Sequence, residues 1–417
     1  VDEDVYAYTN SDGDQRALVV FNNRFGDTAG WIKHSVPFLV KSGGDSHQET
    51  RDLAHALGLP NDPDAFVTFR DYTHHLEYIR SAKDIFDRGM YFSLDAYGHQ
   101  VLMDFSVVYG RDYAELNSHL NGRGVPNLDM ARREIALGPI LQPLEGIINA
   151  ENLRSLVSAS KDRLHTETYE SLIENNLELA SRAQAGLRRT AGISDCDEIQ
   201  DSSILEKQLR QILDLEDFPK NAGLSLTRLT PLFTKALNPE SLEDPRRKFV
   251  LLVWALFSNL AGSNASEGCR SRSRQVLEEE PAIRLVTNAL TQLGFGDYEA
   301  WKACQAVRWM ITNTCWLDEI DTQKTADLLE KWLQDKQLRE YIEVNEYNQV
   351  LWFNQEKFED MLWYMRVGAV LWYAAQTDTS SVELLEKNIQ AESHFARLEN
   401  GLKASEYQLE KLQDALD

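Results

Sequence analysis

The stretch Phe66–Phe105, FVTFRDYTHHLEYIRSAKDIFDRGMYFSLDAYGHQVLMDF, decides how the whole chain is interpreted. Met90, Phe92 and Leu94 recur with the period of two that is typical of a half-buried strand. The same period places four further residues on one predicted face: Val101, Met103, Phe105 and Val107. The short connection 96–98 contains a glycine, so it predicts that the two segments pair as a β-hairpin.

The pattern differs on the two sides of this stretch. Before it, Val5–Tyr8 and residues 17–21 are rich in β-branched and aromatic residues around a turn, which indicates another hairpin. From Asp112 onward the apolar residues recur with a helical period of 3.6. We therefore predict an α+β protein, with a small antiparallel β-sandwich at the N-terminal end followed by a large all-α helical domain. The predicted divisions are a sandwich in 1–110, a helical connector in 111–150, and a helical domain in 151–380.

Residues 381–417 are predicted to form one long C-terminal helix. Four apolar residues in it are seven positions apart, with Ser405 as the polar interruption: Phe395, Leu402, Leu409 and Leu416. This heptad seam predicts packing either on the chain's own helices or against a second copy. The first alternative is favoured, and self-association through this helix is the second.

Composition limits the classes of partner. The 417 residues are 43% hydrophobic and 26% charged, as in an ordinary globular protein. Lys and Arg number 43 and Asp and Glu 66, so the formal net charge is -23. A field of this sign repels phosphate backbones and anionic lipid surfaces, so we expect neither nucleic acid nor membrane as a partner. The longest apolar run, residues 249–257, is about half the length of a bilayer span.

Neither a metal site nor a cofactor site is predicted. The four cysteines, Cys196, Cys269, Cys304 and Cys315, lack zinc-ligand spacing, and the preferred interpretation is buried thiols in a reducing cytoplasm. Glycine-rich phosphate loops and nucleophile elbows are missing from the sequence. Seven tryptophans of the helical half are interpreted as core residues: Trp301, Trp309, Trp316, Trp332, Trp352, Trp363 and Trp372.

One polar cluster and one set of aromatic residues are candidate sites. The cluster comprises Arg70, Asp71, His75 and Glu77, with His74 adjacent. In a strand, His75 and Glu77 would point to the same side, which suits acid/base chemistry or a metal when a further group is supplied, or paired polar side chains on a surface. Trp31, Tyr72 and Tyr97 are candidate aromatic contacts for a sugar. We identify no catalytic residue.

The segments VYAYTNSDGDQRALVVFNN and FRDYTHHLEYIRSAKDIFDRGMYFSLDAYGHQVLMDF resemble the C-terminal portion of large bacterial proteins of the α-amylase family. In that family a catalytic (β/α)8 barrel precedes a β-sandwich. The resemblance covers roughly residues 5–124 and carries no reactive group, because the family's catalytic carboxylates lie in barrel motifs that this sequence lacks. The chain has no initiator Met and enters a strand pattern at Val5, from which we expect a longer polypeptide with the barrel upstream.

Three functions are carried forward from the sequence. The first is a non-catalytic C-terminal region of an α-amylase-like glycoside hydrolase that acts on α-glucans, located in the cytoplasm. Its sandwich would brace the upstream barrel of the same polypeptide, and the barrel would use the retaining two-carboxylate route. The second is an acidic helical module for protein interaction or oligomerisation. The third is a carbohydrate-binding region without catalysis.

Overall fold

The computed structural model describes residues 3–42, 45–161, 166–191, 202–216, 244–262, 267–313, 324–375 and 381–416. The chain divides into two compact units, Val1–Gly138 and Pro139–Asp417. The first unit contains an antiparallel sheet and the second is mainly helical, so the predicted α+β class is confirmed. The boundary between the units falls within the predicted connector 111–150.

The first unit is built on nine described strands and four helices, the last of which runs into the second unit. The strands are β1 (Val5–Asp12), β2 (Gln15–Asn22), β3 (Thr28–Ile32), β4 (Phe38–Ser42), β5 (Asp45–Glu49), β6 (Ala65–Asp71), β7 (Leu76–Ser81), β8 (Met90–Leu94) and β9 (His99–Tyr109). The helices are α1 (Leu53–Ala56), α2 (Ala82–Arg88), α3 (Arg111–Leu120) and α4 (Leu128–Ile147).

Five strands form one antiparallel sheet in the order β1-β2-β9-β6-β7, and two ribbons pair β3 with β8 and β4 with β5. The hairpin predicted around residues 96–98 is wrong. Strand β8 pairs with β3, whereas β9 pairs with β2 and β6, so the connection carries the chain from a ribbon to the sheet. The N-terminal hairpin is confirmed, because β1 pairs with β2 over all eight residues of each strand.

The main core of the first unit lies between the five-stranded sheet and the β3–β8 ribbon. Leu18, Val20 and Val67 of the sheet share one buried cluster with Met90 and Phe92 of the ribbon. Helices α1 and α2 contribute to the same cluster. This two-layer packing is the antiparallel sandwich that the period-two pattern predicted.

A β-bulge divides β9 into two halves that face opposite ways. Asp104 has a left-handed φ of 58°, and the β6–β9 register shifts between Thr68 and Arg70. Each extra residue reverses the alternation of the side chains that follow. Phe105 therefore packs in the core, 5.2 Å from Phe69, whereas Val101 and Met103 lie on the other face. The prediction that all four residues share a face is wrong.

Among the described residues, the other face of the sheet is covered only at one end. Phe66 and Ile79 pack there against Leu116 and Leu120 of α3 and Leu128 at the start of α4. The remaining part of this face lies over β1, β2 and the first half of β9. The five-stranded sheet thus packs one face on the main core and the other face on α3 and α4 at one end.

The described helices of the second unit follow one another with a small ribbon between them. They are α5 (Ala150–Lys161), α6 (Thr166–Ala191), α7 (Ser203–Leu213), α8 (Arg246–Ser258), α9 (Glu267–Val276), α10 (Glu280–Gln292), α11 (Asp297–Thr312), α12 (Thr325–Leu333), α13 (Lys336–Tyr341), α14 (Gln355–Ala375), α15 (Ser381–Ala404) and α16 (Leu409–Asp414). The ribbon pairs β10 (Asn345–Tyr347) with β11 (Val350–Trp352).

Helix α4 continues through two prolines. Pro139 and Pro143 lie inside the helix, although each removes a backbone donor. Helix α6 packs against this point: a Cβ added to Gly186 would lie 2.2 Å from the carbonyl oxygen of Pro139. Tight packing of this kind stabilises a helical turn that has lost a hydrogen bond.

The C-terminal segment is two helices, not the single long helix predicted. Helix α15 ends at Ala404, and the Ser405 hydroxyl donates to the carbonyl of Leu402 over 2.7 Å. Three of the four predicted seam residues, Phe395, Leu402 and Leu409, are buried within the chain, and Leu416 is half-buried. The seam therefore packs intramolecularly, as the favoured alternative predicted, and Ser405 marks the turn between the helices.

Tryptophan and cysteine side chains contribute to the helical core. Trp309 and Trp332 are buried with ring centroids 5.3 Å apart, while Trp316 lies outside the described residues. Cys304 is free and buried, and burial raises the pKa of its thiol to about 12. Cys196 and Cys315 are also outside the described residues. Among the described helices we find none with the length and apolarity needed to cross a membrane.

Candidate functional site

The part of the sheet that α3 and α4 leave uncovered carries exposed aromatic and aliphatic side chains. We call it the open face, and its residues are Tyr6, Tyr8, Val19, Phe21, Val101 and Met103. Tyr6 is 54% exposed, Tyr8 59% and Met103 37%. These residues share a face because Leu18, Val20 and Leu102, which alternate with them, point into the core.

The polar cluster predicted around Asp71 spans a turn: Arg70 and Asp71 end β6, His75 lies in the turn, and Glu77 lies in β7. Residues 72–75 connect β6 to β7, and His75 has a left-handed φ of 57°. Asp71 is fully buried and accepts hydrogen bonds from the backbone nitrogens of Thr73 (2.8 Å) and His74 (3.3 Å). Its second oxygen lies 2.7 Å from Nδ1 of His74. An aspartate that bonds the following backbone in this way stabilises a turn.

Glu77 has a structural role at the start of a helix. Its Oε2 accepts a 2.8 Å hydrogen bond from the backbone nitrogen of Leu128, the first residue of α4. The first nitrogens of a helix have no partner within the helix, so a carboxylate there stabilises it. The predicted pairing of Glu77 with His75 on one side of a strand is wrong, because His75 belongs to the turn.

Arg70 and Tyr72 lie beside the bulge of β9. The Tyr72 hydroxyl donates to Oδ2 of Asp104 over 2.6 Å, and the Arg70 guanidinium carbon lies 5.4 Å from the Tyr72 ring centroid. The hydrogen bond to the Asp104 carboxylate raises the pKa of the Tyr72 hydroxyl. Arg70 points away from the core that receives Asp71, because consecutive strand residues face opposite ways.

The predicted polar residues therefore do not converge on one point. Asp71 is directed to the core side, Arg70 to the other side, and Glu77 to α4. In the part of the chain that the structure describes, no three His, Cys, Asp or Glu residues are grouped as metal ligands. The arrangement orders a turn, a bulge and the start of a helix.

Trp31 forms an exposed aromatic pair on the outer side of the β3–β8 ribbon. Its cross-strand partner is Tyr91, with ring centroids 5.5 Å apart, and the two residues are 51% and 55% exposed. The Arg88 guanidinium carbon lies 4.5 Å from the Trp31 ring centroid. Gly89 brings α2 against β3: a Cβ there would lie 2.2 Å from the carbonyl oxygen of Ile32.

Tyr97 lies in the connection between β8 and β9. It has a left-handed φ of 56°, is 57% exposed, and its backbone nitrogen donates to the carbonyl of Arg24 over 3.2 Å. The three aromatic residues proposed from the sequence thus lie on three elements: a ribbon, a turn and a connection. Sequence reasoning missed Tyr91, which its alternation with Phe92 could have marked as an exposed residue.

Comparisons of the chain with protein-family models, with curated proteins and with solved structures found no match.

Proposed function

We propose that this chain is a non-catalytic region of a cytoplasmic α-amylase-like glycoside hydrolase that acts on α-glucans. In this proposal a catalytic barrel precedes the chain in the same polypeptide, and the N-terminal sheet braces that barrel. The open face is the observation that carries the proposal. Exposed tyrosines and aliphatic residues on an otherwise well-packed sheet are typical of a surface that another body covers.

The state of the carboxylates supports a region without turnover of its own. Asp71 orders a turn, Glu77 binds the first nitrogen of α4, and Asp104 accepts from Tyr72. A retaining glycosidase needs two carboxyl groups about 5 Å apart on either side of the scissile bond. Carboxylates that are already bonded to their own backbone and side chains are poor candidates for that role.

The experiment uses the natural reading frame extended upstream to include the expected barrel. Tyr6→Ser with Tyr8→Ser replaces two exposed rings of the open face, and Tyr109→Ser, at another exposed ring of the same unit, is the matched control. If the open face braces the barrel, the double variant loses starch hydrolysis on heating at a lower temperature than the wild type. The control should lose activity at the same midpoint temperature as the wild type. Equal midpoints for all three proteins would refute bracing through this face.

A second candidate is binding of α-glucan without catalysis, and it rests on the Trp31–Tyr91 pair. Flat aromatic rings stack on the apolar faces of sugars, and the neighbouring Arg88 supplies hydrogen-bond donors. Retardation of the 417-residue chain in a glycogen-containing gel tests this function. The retardation should disappear with Trp31→Ala and persist with Tyr109→Ala, which alters another exposed ring of the same unit.

A further inference from the structure

The two edge strands of the five-stranded sheet differ in whether another part of the chain covers them. Strand β7 is one edge, and the α3–α4 connection covers it. Glu77 and Val125 exchange two backbone hydrogen bonds of 2.7 and 2.9 Å, and Nη2 of Arg80 donates to the carbonyl of Gly122 over 2.8 Å. This edge therefore offers few backbone groups to another molecule.

Strand β1 is the other edge, and within the described residues nothing pairs with its outer side. Six of its eight residues are exposed and the other two are half-buried. An uncovered edge presents a row of backbone donors and acceptors to solvent.

The direction of each backbone group of β1 follows from its ladder with β2. The backbone nitrogen of Asn23 donates to the carbonyl of Asp4 over 2.8 Å, so this opposed pair is hydrogen-bonded. Bonded and non-bonded pairs alternate in an antiparallel ladder. The backbone groups of Val5, Ala7, Thr9 and Ser11 therefore point outward. In agreement, the Ser11 nitrogen donates to its neighbour's side chain, Oδ1 of Asn10, over 2.9 Å.

Strand β1 lacks the features by which edge strands usually avoid pairing. Its sequence, VYAYTNSD, contains no proline and no lysine, and its register with β2 is continuous from Val5 to Asp12 without a bulge. Natural edges carry such features because a long, regular, unprotected edge recruits another strand. The chain thus covers the β7 edge of the sheet and leaves the opposite edge, β1, open. This difference indicates that β1 is a surface for pairing with another strand.

We propose that the outer edge of β1 is a binding site for an extended segment of another polypeptide, which adds to the sheet as a sixth strand. The spacing of outward backbone groups at every second residue is complementary only to another extended backbone. Exposed carboxylates lie at both ends of the edge, on Glu3 and Asp12. The partner segment therefore carries Lys or Arg at its ends and β-branched residues beside Tyr6 and Tyr8.

A second copy of this chain fits the edge less well. Each chain has a formal net charge of -23, so two copies repel one another. The two-fold register that pairs Val5 with Ser11 and Ala7 with Thr9 also places Asp4 opposite Asp12. Like charges directly opposed across two strands are destabilising. A basic strand from a different polypeptide removes both penalties.

The test measures fluorescence anisotropy of a labelled peptide, Lys-Thr-Val-Thr-Val-Thr-Val-Lys, titrated with the full 417-residue chain. Ala7→Pro removes one outward N–H and no hydrogen bond to β2, so edge strands tolerate it. We expect it to weaken binding about tenfold, as the loss of a backbone hydrogen bond implies. Ala7→Ser, which keeps the outward N–H of the same residue, is the matched control and should bind as the wild type does.

Two peptide variants test the wild-type chain directly and do not depend on the folding of any protein variant. N-methylation of alternate peptide residues removes the donors that would pair with β1, and binding should disappear. Replacing both terminal lysines by glutamate should weaken binding about fivefold. Equal binding of the methylated peptide, equal binding by Ala7→Pro, or no binding of the parent peptide would each overturn the proposal. So would a dimer in sedimentation equilibrium that Ala7→Pro converts to monomer, because the occupant would then be a second copy.

Discussion

The buried side chain of Asn22 donates a 2.9 Å hydrogen bond to the carbonyl of Asp95, and so joins the end of β2 to the connection between β8 and β9. The same amide nitrogen donates to the carbonyl of Gly26 over 2.7 Å, and the backbone nitrogen of Asn22 donates to the carbonyl of Gly98. One fully buried residue thereby fixes two connections of the sandwich. An amide is suited to this position because it supplies two donors at a single point.

Asn22→Ala is expected to destabilise the first unit by about 2–3 kcal/mol, because two carbonyls lose a buried donor. Hydrogen exchange followed by mass spectrometry should show faster exchange in peptides from β2 and β9. Asn23→Ala, at an exposed neighbouring residue, is the control and should leave exchange unchanged. Unaltered protection of β9 in Asn22→Ala would show that the side chain does not hold the connection.

Arg366 is expected to be a strong stabilising residue of the helical unit. It is buried, and its guanidinium lies 2.8 Å from a carboxylate oxygen of Glu392 and 2.7 Å from one of Glu399. Arg366→Met would remove this buried cation from beside both carboxylates, which should lower the free energy of unfolding by about 3–5 kcal/mol. Urea denaturation monitored by circular dichroism at 222 nm should register the loss.

Arg182→Met is the matched control for this measurement. Arg182 pairs with Glu178 on the surface of α6, where both side chains are more than 60% exposed. A pair in that environment contributes about 0.5 kcal/mol or less. If the two variants lost equal stability, burial would not be the reason for the importance of Arg366.

Glu343 makes the stability of the helical unit depend on pH. Its Oε1 accepts from the Tyr298 hydroxyl over 2.7 Å, its Oε2 from Nδ2 of Asn354 over 3.0 Å, and Nζ of Lys302 lies 3.3 Å away. The hydrogen bond from Tyr298 is the main cause that lowers the pKa of Glu343 below its usual value. A lowered folded-state pKa means that the carboxylate stabilises the fold above the unfolded-state pKa, and that this contribution is lost as the pH falls through the folded-state pKa.

Glu343→Gln should therefore destabilise the protein at pH 7, by less than about 1 kcal/mol because the carboxylate is partly exposed to solvent. The difference from the wild type should persist down to about pH 5 and shrink at lower pH. Urea midpoints at pH 7, 5 and 3.5 measure it. Glu346→Gln removes one negative charge from the same unit and is the control. A difference that grew as the pH fell would contradict the sign of the linkage.

Leu402→Asp should lower the melting temperature without changing the mass of the folded protein. Leu402 is fully buried in the chain's own helical core, so the variant places a charge among apolar side chains. Leu416→Asp, at the half-buried last residue of the seam, should have a smaller effect. Sedimentation equilibrium at two concentrations distinguishes this intramolecular role from a dimer seam, in which Leu402→Asp would reduce the mass.

Periodicity predicted the class of the fold and many of its elements, because the spacing of apolar residues along the chain reflects which side chains are buried. Met90, Phe92 and Leu94 point inward as predicted, and Leu402 and Leu409 of the heptad seam are buried. The pairing of β8 with β3 was not predictable, since the connection at residues 95–98 looks the same whether it closes a hairpin or crosses between layers. The bulge at Asp104 was not predictable either, because the alternation of apolar and polar residues does not show that an aspartate adopts a left-handed φ.

The candidate sites were predictable as residue types and not as arrangements. His75 and Glu77 are close in sequence, yet a turn that begins after Asp71 separates their directions. Trp31 was found, but Tyr91 lies 60 positions further along the chain and becomes its neighbour only through the β3–β8 pairing. Edge strands could not be predicted for the same reason. The sequence of β1 does not show which of the nine strands of the first unit lies at the edge of the sheet.

Release of reducing sugar from soluble starch tests the central proposal most directly. The 417-residue chain and the polypeptide extended upstream are assayed in parallel at equal molar concentration. A non-catalytic region predicts no release above the blank for the chain alone and saturable release for the extended polypeptide. Saturable turnover by the chain alone would contradict the proposal, and Asp71, Glu77, Asp95 and Asp104 would then be the first carboxylates to replace.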